Sequence, residues 1–410
     1  MSRLAAALTR RQTARSARGL HIDANIALAR TPPGSLYRPG AAAFAAQLER
    51  VFARSWQLAP ELASVRAHGE ARPFKLLRGA LDEPLVAVRD GGSTRCLSNV
   101  CTHRGMELVP DSGAPVALPN GVLRCGYHGR RFSLDGRVRS APGFEALEHS
   151  FEDLPSARTA TWRGALPFVS LGGASRPLER AQRAAGEDDA AAFDAAFGDA
   201  LGRLAMLPVE RLEPDATGTR SFEVRCHWAL YVENYLEGLH VPFVHPSLQQ
   251  AISMGDSRIE TFGNAVLQVG AARASSDAAS LLPPAPDRAG ERVAAYYLYL
   301  FPNTMLNFYD WGVSVNIVVP TSPATTRIDY LRYVWNHARV PAGAGAAGAG
   351  GDLDAVELED DAVVEAVQRG VGARLYGRGR YAGRHELGTH HFHRLLQAAL
   401  GDTSNKGGNV

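Results

Sequence analysis

Two short segments each bring a cysteine and a histidine together. Cys101 and His103 lie in CTHRG, and Cys125 and His128 lie in CGYHG. Each pair can come from the tip of one loop, and two thiolates with two neutral imidazoles suit the asymmetric ligation of a [2Fe–2S] cluster. A structural Cys2His2 zinc site tolerates the same spacing, and a Cys101 to Cys125 disulfide is a third interpretation. We favour the cluster because both segments contain glycine, which tight exposed loops need.

A second pair of imidazoles lies further along the chain. His240 and His245 are five residues apart, so on one straight helix their side chains would diverge by about 140°. Pro242 lies between them and is expected to end the helix just after His240, which lets His245 fold back from a loop. Two imidazoles and one carboxylate leave open positions on ferrous iron for O2 and a substrate.

The carboxylate is expected from a helix predicted over residues 353–371. On a helical projection Asp360 falls near the centre of a valine stripe, whereas Asp361 projects about 100° away and reaches water. A carboxylate on an apolar face is costly unless it is paired or bound to a metal. Asp360 is therefore predicted as the third ligand and Asp361 is the alternative. An acid stabilised by the helix macrodipole explains either residue equally well.

These segments resemble the motifs of one protein family. CTHRG and CGYHG are similar to the C-x-H-R-G and C-x-Y-H-G-W motifs of Rieske proteins. ENYLEGLHVPFVH at 233–245 and EDDAVVE at 359–365 are similar to motifs of the α subunits of Rieske non-haem iron oxygenases, the aromatic-ring-hydroxylating oxygenases. The chain departs from the pattern twice. Extra residues at 113–121 are expected only to lengthen a loop, and Arg130, where the family usually has tryptophan, removes an aromatic wall beside the cluster.

The resemblance implies an α+β fold with a small antiparallel β Rieske domain and a larger helix-grip (START-like) catalytic domain. It implies an oxygenase that receives electrons through a [2Fe–2S] cluster and activates O2 at a mononuclear Fe(II) to hydroxylate or demethylate a small organic substrate. Electrons would come from NAD(P)H through a separate reductase or ferredoxin, since the sequence has no flavin or NAD fingerprint. It also implies a homotrimer in which Glu237 bridges the cluster of one subunit and the iron of its neighbour, with Asn234 near the iron.

Two other classes of function use only part of this machinery. A non-catalytic electron carrier or redox sensor needs the cluster but not the second metal, and a helix-grip module that binds small ligands needs neither. The segment 293–311 is dense in aromatic residues on predicted strands. It can surround an arene, or hold a quaternary ammonium group through cation–π contacts. The motifs do not encode whether one or two oxygen atoms are added.

The predicted elements divide the chain into four parts. They are a flexible basic arm at 1–36, a helix at 37–57 that packs on the catalytic domain, the β domain at 58–173 and the catalytic domain at 174–410. Within the catalytic domain we expect an exposed helix or an insertion over 185–207 and a flexible glycine-alanine linker at 341–351.

Composition limits the classes of partner. The chain has 410 residues, 45% hydrophobic and 21% charged, which is globular and long enough for two domains. With 44 basic and 42 acidic residues the net charge is only +2, so no nucleic-acid partner is expected. No apolar stretch is long enough for a membrane span, and four cysteines favour a cytoplasmic protein over a disulfide scaffold. The cluster His390, His391 and His393 is better explained by an amphipathic helix than by a metal site.

Overall fold

The computed structural model describes residues 20–144, 152–175, 189–246, 253, 255–276, 281–340, 347–348 and 351–401. Its α-helices are α1 (Ala41–Gln47), α2 (Asp189–Gly202), α3 (Trp228–Tyr235), α4 (Val241–Val244), α5 (Leu353–Gly370) and α6 (Leu387–Gly401). A π-helical turn, Leu48–Phe52, continues α1. Among the described residues, no helix has both the length and the apolarity that crossing a membrane requires.

The strands belong to four sheets. They are β1 (Gln57–Leu58), β2 (Glu70–Leu76), β3 (Glu83–Asp90), β4 (Ser93–Ser98), β5 (Val116–Ala117), β6 (Val122–Arg124), β7 (Arg131–Ser133), β8 (Val138–Ser140), β9 (Ser156–Trp162), β10 (Leu166–Ser175), β11 (Glu213–Pro214), β12 (Arg220–Val224), β13 (Arg258–Phe262), β14 (Ala265–Ala271), β15 (Val293–Leu300), β16 (Thr304–Tyr309), β17 (Gly312–Ser322), β18 (Thr325–Val334), β19 (Ala347–Gly348) and β20 (Gly351–Asp352). Their pairings are antiparallel, and with the helices they confirm the α+β class.

The first half of the chain forms a seven-stranded sheet in the order β1-β10-β9-β4-β3-β2-β5, next to the small sheet β6-β7-β8. Successive side chains of a strand point to opposite faces. Val86, Val88 and Leu97 accordingly pack towards the small sheet, while Leu85 and Ala87 join the main core of the molecule. Both faces are covered, which explains why β3 reads as a continuous apolar run rather than an alternating one.

The second half forms an eight-stranded antiparallel sheet in the order β11-β18-β17-β16-β15-β14-β13, with β12 also paired to β18. Helix α3 packs on α5 and α6, and α3 and α6 also pack on this sheet. The turn after α1 adds Phe52, whose ring meets Trp228 of α3 edge to face at 4.8 Å. The Oε1 atom of Gln47, at the end of α1, accepts hydrogen bonds from His227 Nε2 (2.9 Å) and Trp228 Nε1 (3.0 Å). The segment preceding the first sheet therefore completes the N-terminal end of α3.

Two expectations about mobile or exposed segments differ from the structure. Helix α2 is exposed on one face only, because Phe193 and Phe197 are buried and the ring of Phe193 packs on that of Phe168 with centroids 4.9 Å apart. Residues 20–36 of the predicted arm pack on the C-terminal region, where Ile22 and Ala29 are buried with Tyr381. The rest of the arm, 1–19, and most of the linker 341–351 lie outside the described residues, although β19 and β20 pair with each other there.

Candidate functional site

The two cysteine-histidine segments form loops with the same hydrogen-bond pattern. In each, the N–H of the cysteine (Cys101 or Cys125) donates to the carbonyl five residues later, and its carbonyl accepts from the glycine N–H four residues later, at 2.8 to 3.2 Å. These glycines, Gly105 and Gly129, have φ of +74° and +72°, where any other residue would be strained. Glycine at these two positions lets both loops present cysteine and histidine in the same way.

Their four side chains face one another. The thiols of Cys101 and Cys125 are buried, and the rings of His103 and His128 are 4.6 Å apart at the protein surface. All four cysteines are free, so the disulfide interpretation is wrong. Burial raises the pKa of Cys101. Burial also opposes ionisation of Cys125, but hydrogen bonds from the N–H groups of Tyr127 and His128 outweigh it and lower its pKa. Two interacting thiols beside two imidazoles fit a cluster ligated by two cysteines and two histidines.

The loop between these segments is more ordered than expected. The extra residues at 113–121 include β5, which pairs with β2 as an edge strand of the first sheet. They do more than lengthen a loop, because they extend the sheet by one strand.

The second centre is formed by His240, His245 and Asp360, whose ligand atoms all lie within 4.8 Å of one another. Asp360 Oδ1 is 2.9 Å from His245 Nε2 and 3.6 Å from His240 Nε2. Apart from the four side chains of the cysteine-histidine loops, no other group of three histidine, cysteine or acidic side chains is arranged for a metal ion in the part of the chain that the structure describes. Two imidazoles and one carboxylate converging in this way fit ferrous iron with open positions.

The path of the chain here differs from the sequence expectation. Helix α3 ends at Tyr235, and His240 precedes the one-turn helix α4, which begins at Val241. Pro242 therefore lies in the first turn of a helix, where its missing N–H costs nothing, instead of ending one. His245 follows as the residue after that turn. The prediction that the two imidazoles share a site agrees with this geometry, but the reason given for it was wrong. Asn234 and Glu237 likewise do not share one continuous helix face.

Each imidazole is held from behind by a carboxylate. His240 Nδ1 donates to Glu237 Oε1 and His245 Nδ1 donates to Glu359 Oε2, both at 2.6 Å. Such outer partners fix the ring orientation and leave Nε2 facing the metal position. Burial opposes protonation of His245, but its hydrogen bonds to Asp360 and Glu359 outweigh it and raise its pKa. A divalent cation would replace the proton on Nε2. Sequence analysis missed Glu359, although it directly precedes Asp360.

The carboxylate of Asp360 is fixed by Asn234, whose Nδ2 donates to Asp360 Oδ1 at 2.6 Å. The neighbouring Asp361 is half-buried and not freely exposed as expected. Its Oδ1 is buried without a hydrogen bond, and burial together with the charge of Asp360 raises its pKa to about 6. The valine stripe is also narrower than predicted, because Val367 is exposed while Val364 is buried.

A cavity of about 420 Å³ opens beside the second centre. This size suits a small organic ligand. One wall carries the rings of Tyr235, Tyr297 and Tyr309, and the sheet contributes Asn307 and Asn316. The hydroxyl of Tyr235 donates to Asn307 Oδ1 (2.8 Å), and Asn307 Nδ2 donates to Asn316 Oδ1 (3.1 Å). As expected from the sequence, strand aromatics of the 293–311 segment face this space.

A buried acid in the same wall was not predicted. Glu357 lies one helical turn before Asp360 on α5 and accepts hydrogen bonds from the hydroxyls of Tyr231 (2.7 Å) and Tyr330. Burial raises its pKa to about 8, the nearby charge of Asp361 acts in the same direction, and the two hydroxyls oppose the shift. A carboxyl group so deeply buried is unusual unless it has a partner.

The three C-terminal histidines point in different directions. His393 is fully buried and contacts the Tyr381 hydroxyl (2.6 Å) and Glu233 (2.9 Å), while His390 and His391 donate to backbone carbonyls. As the sequence indicated, these histidines lie on an amphipathic helix, α6, and each has a partner of its own.

Comparison with known families identifies the two halves. A family model for the Rieske [2Fe-2S] domain matches residues 55–155, and one for the catalytic domain of the ring hydroxylating alpha subunit matches residues 210–402. The chain belongs to the Rieske non-haem iron oxygenase α subunits. It is 28% identical to the chloroplastic choline monooxygenase of Arabidopsis thaliana over 91% of this chain and 83% of that protein. It is 26% identical to the carnitine monooxygenase oxygenase subunit of Escherichia coli (strain K12) over 88% of this chain and 91% of that protein.

Solved structures share the fold. A quaternary ammonium Rieske monooxygenase bound to an inhibitor superposes with a TM-score of 0.66 at 24% identity, covering 92% of this chain and 97% of that one. The naphthalene 1,2-dioxygenase of Rhodococcus sp. has the same TM-score at 15% identity, covering 91% and 95%.

The predicted activity is confirmed at the level of the family. The chain is the oxygenase component of an oxidoreductase system, with a [2Fe–2S] cluster and a mononuclear non-haem iron. It receives electrons from a separate reductase and oxidises a small organic substrate with O2. This assignment replaces the zinc site, the simple electron carrier and the ligand-binding module.

Proposed function

We propose that this Rieske oxygenase is a monooxygenase that hydroxylates or demethylates a small quaternary ammonium compound. The observation that carries the proposal is the cavity wall, where a buried carboxyl group, Glu357, and three tyrosine rings surround the space next to the iron ligands. A trialkylammonium group is attracted to aromatic faces. Its positive charge next to Glu357 favours the ionised form of that carboxyl group. Curated relatives along nearly the whole chain are choline and carnitine monooxygenases, which supports the same class.

We propose the following roles for the residues of the two centres. Cys101, His103, Cys125 and His128 hold the cluster, and His240, His245 and Asp360 hold the iron. When bound, the cluster supplies single electrons and the iron supplies the position at which O2 is activated. Glu237 and Glu359 keep the two imidazoles oriented, and Asn234 keeps the Asp360 carboxylate in place.

The cavity holds the substrate near the iron position. Glu357 is three residues, about 4.5 Å of helix rise, from Asp360. A cation paired with Glu357 therefore places an adjacent methyl or methylene group close to the metal. Burial keeps the tyrosine hydroxyls protonated, as shown by the raised pKa of Tyr235, so the rings meet the cation as neutral π systems.

The test is oxygen uptake with NADH and a generic reductase over a panel of substrates. Choline, carnitine and betaines are expected to stimulate uptake and yield hydroxylated or demethylated product. The matched control is 3,3-dimethylbutanol, a neutral carbon analogue of choline, which is expected to be inactive. Turnover of aromatic acids or naphthalene with no response to the cations would reject the substrate class while leaving the oxygenase assignment intact.

We also propose that the active form is a homotrimer in which electrons pass between subunits. Phe243, in α4 between the two imidazoles, is 84% exposed, and Tyr127, beside the cluster ligand His128, is 58% exposed. Large exposed apolar side chains next to both centres are typical of an interface. One related solved structure is described as showing inter-subunit electron transfer.

A mixing experiment tests this arrangement. A His128→Ala subunit lacks a working cluster and an Asp360→Ala subunit lacks iron, so each alone is expected to be inactive. Coexpressed mixed oligomers regain activity if the cluster of one subunit serves the iron of another. No recovery in oligomers shown to be mixed would place electron transfer within one subunit.

We further propose a cytoplasmic location, since buried thiols at the cluster site need a reducing compartment.

A further inference from the structure

Arg130 is the residue of the cluster loops that fits the family pattern least. It lies two residues after His128, at the position where tryptophan is usual, and its side chain is only 2% exposed. A buried guanidinium cannot lose its proton and is costly unless it is paired. The charge of Arg130 must therefore be paired within the fold.

The side chain joins the two loops. Its Nη1 donates to Thr102 Oγ1 at 3.2 Å, and Thr102 lies between the ligands Cys101 and His103 of the other loop. Its Nη2 is 2.9 Å from Glu152 Oε2, an ion-pair contact without hydrogen-bond alignment. Thr102 Oγ1 in turn donates to the backbone carbonyl of Glu152 at 2.6 Å.

An aromatic side chain is nevertheless present. Phe144 lies 5.2 Å from the ring of His103, and the Arg130 guanidinium lies 5.1 Å from the same phenyl ring. The aromatic wall expected to be lost is thus supplied from another segment. What still distinguishes Arg130 from the usual tryptophan is its positive charge.

We propose that Arg130 is a positioning residue that links the two cluster loops and whose fixed positive charge makes the cluster easier to reduce, with Glu152 acting in the opposite direction. Reduction adds one electron from the external reductase and one negative charge to the cluster, and a nearby cation stabilises that charge. The guanidinium lies next to the cluster site, because it contacts Thr102, between Cys101 and His103, and the Phe144 ring that meets His103. Glu152 is 28% exposed, so water screens it more than it screens Arg130.

Removing the charge of Arg130 and removing the charge of Glu152 are expected to shift the reduction potential of the cluster in opposite directions. In the purified holoenzyme, Arg130→Met is expected to shift the reduction equilibrium at least tenfold towards the oxidised cluster, about 59 mV for one electron. Glu152→Gln is expected to shift it towards the reduced cluster. Arg130→Lys keeps the charge and is expected to keep most of the potential, whereas Arg130→Trp restores the family residue and is expected to behave like Arg130→Met.

The measurement is a mediated redox titration followed by EPR of the reduced cluster, with iron and acid-labile sulfide determined on each sample. These readouts do not depend on substrate or on turnover. Equal potentials in Arg130→Met and the wild type, or shifts of the same sign in Arg130→Met and Glu152→Gln, would overturn the proposal. If Arg130→Met fails to assemble a cluster, the reduction potential of the Glu152→Gln variant tests the proposal instead. A higher potential supports the proposal, and an unchanged or lower one overturns it.

Discussion

The buried carboxyl group of Glu357 makes a quantitative prediction about stability. In the folded chain its pKa is raised to about 8, first by burial, whereas an ordinary glutamate has 4.5. A glutamine at this position has nearly the same shape and can still accept hydrogen bonds from Tyr231 and Tyr330. It cannot ionise, so comparing Glu357→Gln with the wild type isolates the effect of the charge.

The sign follows from proton linkage. Below pH 4.5 both states of the wild-type chain are protonated at this residue, so ionisation costs nothing. Between pH 4.5 and about 8 the unfolded chain releases the proton while the folded chain keeps it, and stability is lost as the pH rises. At 1.36 kcal/mol for each pH unit, the loss at pH 7 is about 3 kcal/mol. Glu357→Gln is therefore expected to stabilise the protein by about 3 kcal/mol at pH 7 and hardly at all near pH 4.5.

The assay is urea unfolding of chelator-treated protein, followed by tryptophan fluorescence at several pH values from 4.5 to 8. Glu365→Gln on the same helix is the matched control. The pKa of Glu365 is lowered, mainly by its hydrogen bonds with Arg225, so its replacement is expected to give no stabilisation at neutral pH. A Glu357→Gln variant that is no more stable than the wild type at pH 7 would mean that this carboxyl group is ionised or solvated in the fold, and the reasoning would be wrong. Activity should move in the opposite direction from stability, with a raised KM for the cationic substrate, because a bound cation favours the ionised form of Glu357 and glutamine has no such form.

Three further outcomes test the metal centres. Cys101→Ser is expected to abolish the cluster, seen as loss of the brown colour and of the Rieske EPR signal, and a colourless zinc-loaded wild type would contradict the family assignment. Asp360→Ala is expected to lose the mononuclear iron while keeping the Rieske spectrum, whereas Asp361→Ala is expected to keep substantial activity. Loss of iron from the Asp361 variant, with iron retained in the Asp360 variant, would make Asp361 the ligand. Glu237→Gln is expected to keep both metals and to slow product formation severely, and near-normal turnover would place the link between the centres elsewhere.

The sequence indicated which side chains converge at the two centres better than it indicated the path of the chain around them. The spacing within CTHRG and CGYHG reports on single tight loops, and such local geometry is encoded by a few neighbouring residues, above all Gly105 and Gly129. The choice of Asp360 rested on helix phase, which a long regular helix such as α5 preserves. Both inferences needed only short-range information.

The failures concern contacts that depend on distant segments. Pro242 is compatible both with ending one helix and with starting another, and only the end of α3 at Tyr235 decides between them. Glu357 reads as a solvent-facing acid in a charged helix. It becomes a cavity residue because Tyr330, on strand β18, packs against it. The environment of Asp361 is misjudged for the same reason, since a helical projection does not show what covers each side of the helix.

The hydrogen bonds of Gln47 affect how the polypeptide can fold as it is synthesised. This amide meets His227 and Trp228 across 180 residues of chain, and the whole cluster-binding sheet lies in between. The N-terminal helix emerges from the ribosome long before its partners, so the first sheet must fold while the catalytic half is still incomplete. In folding order the cluster-binding region is an insertion within the catalytic domain. A fragment beginning at residue 174 would bury two polar groups without their acceptor, at about 1 to 3 kcal/mol each. The two halves are therefore better studied by inactivating one centre in the full chain than by separating them.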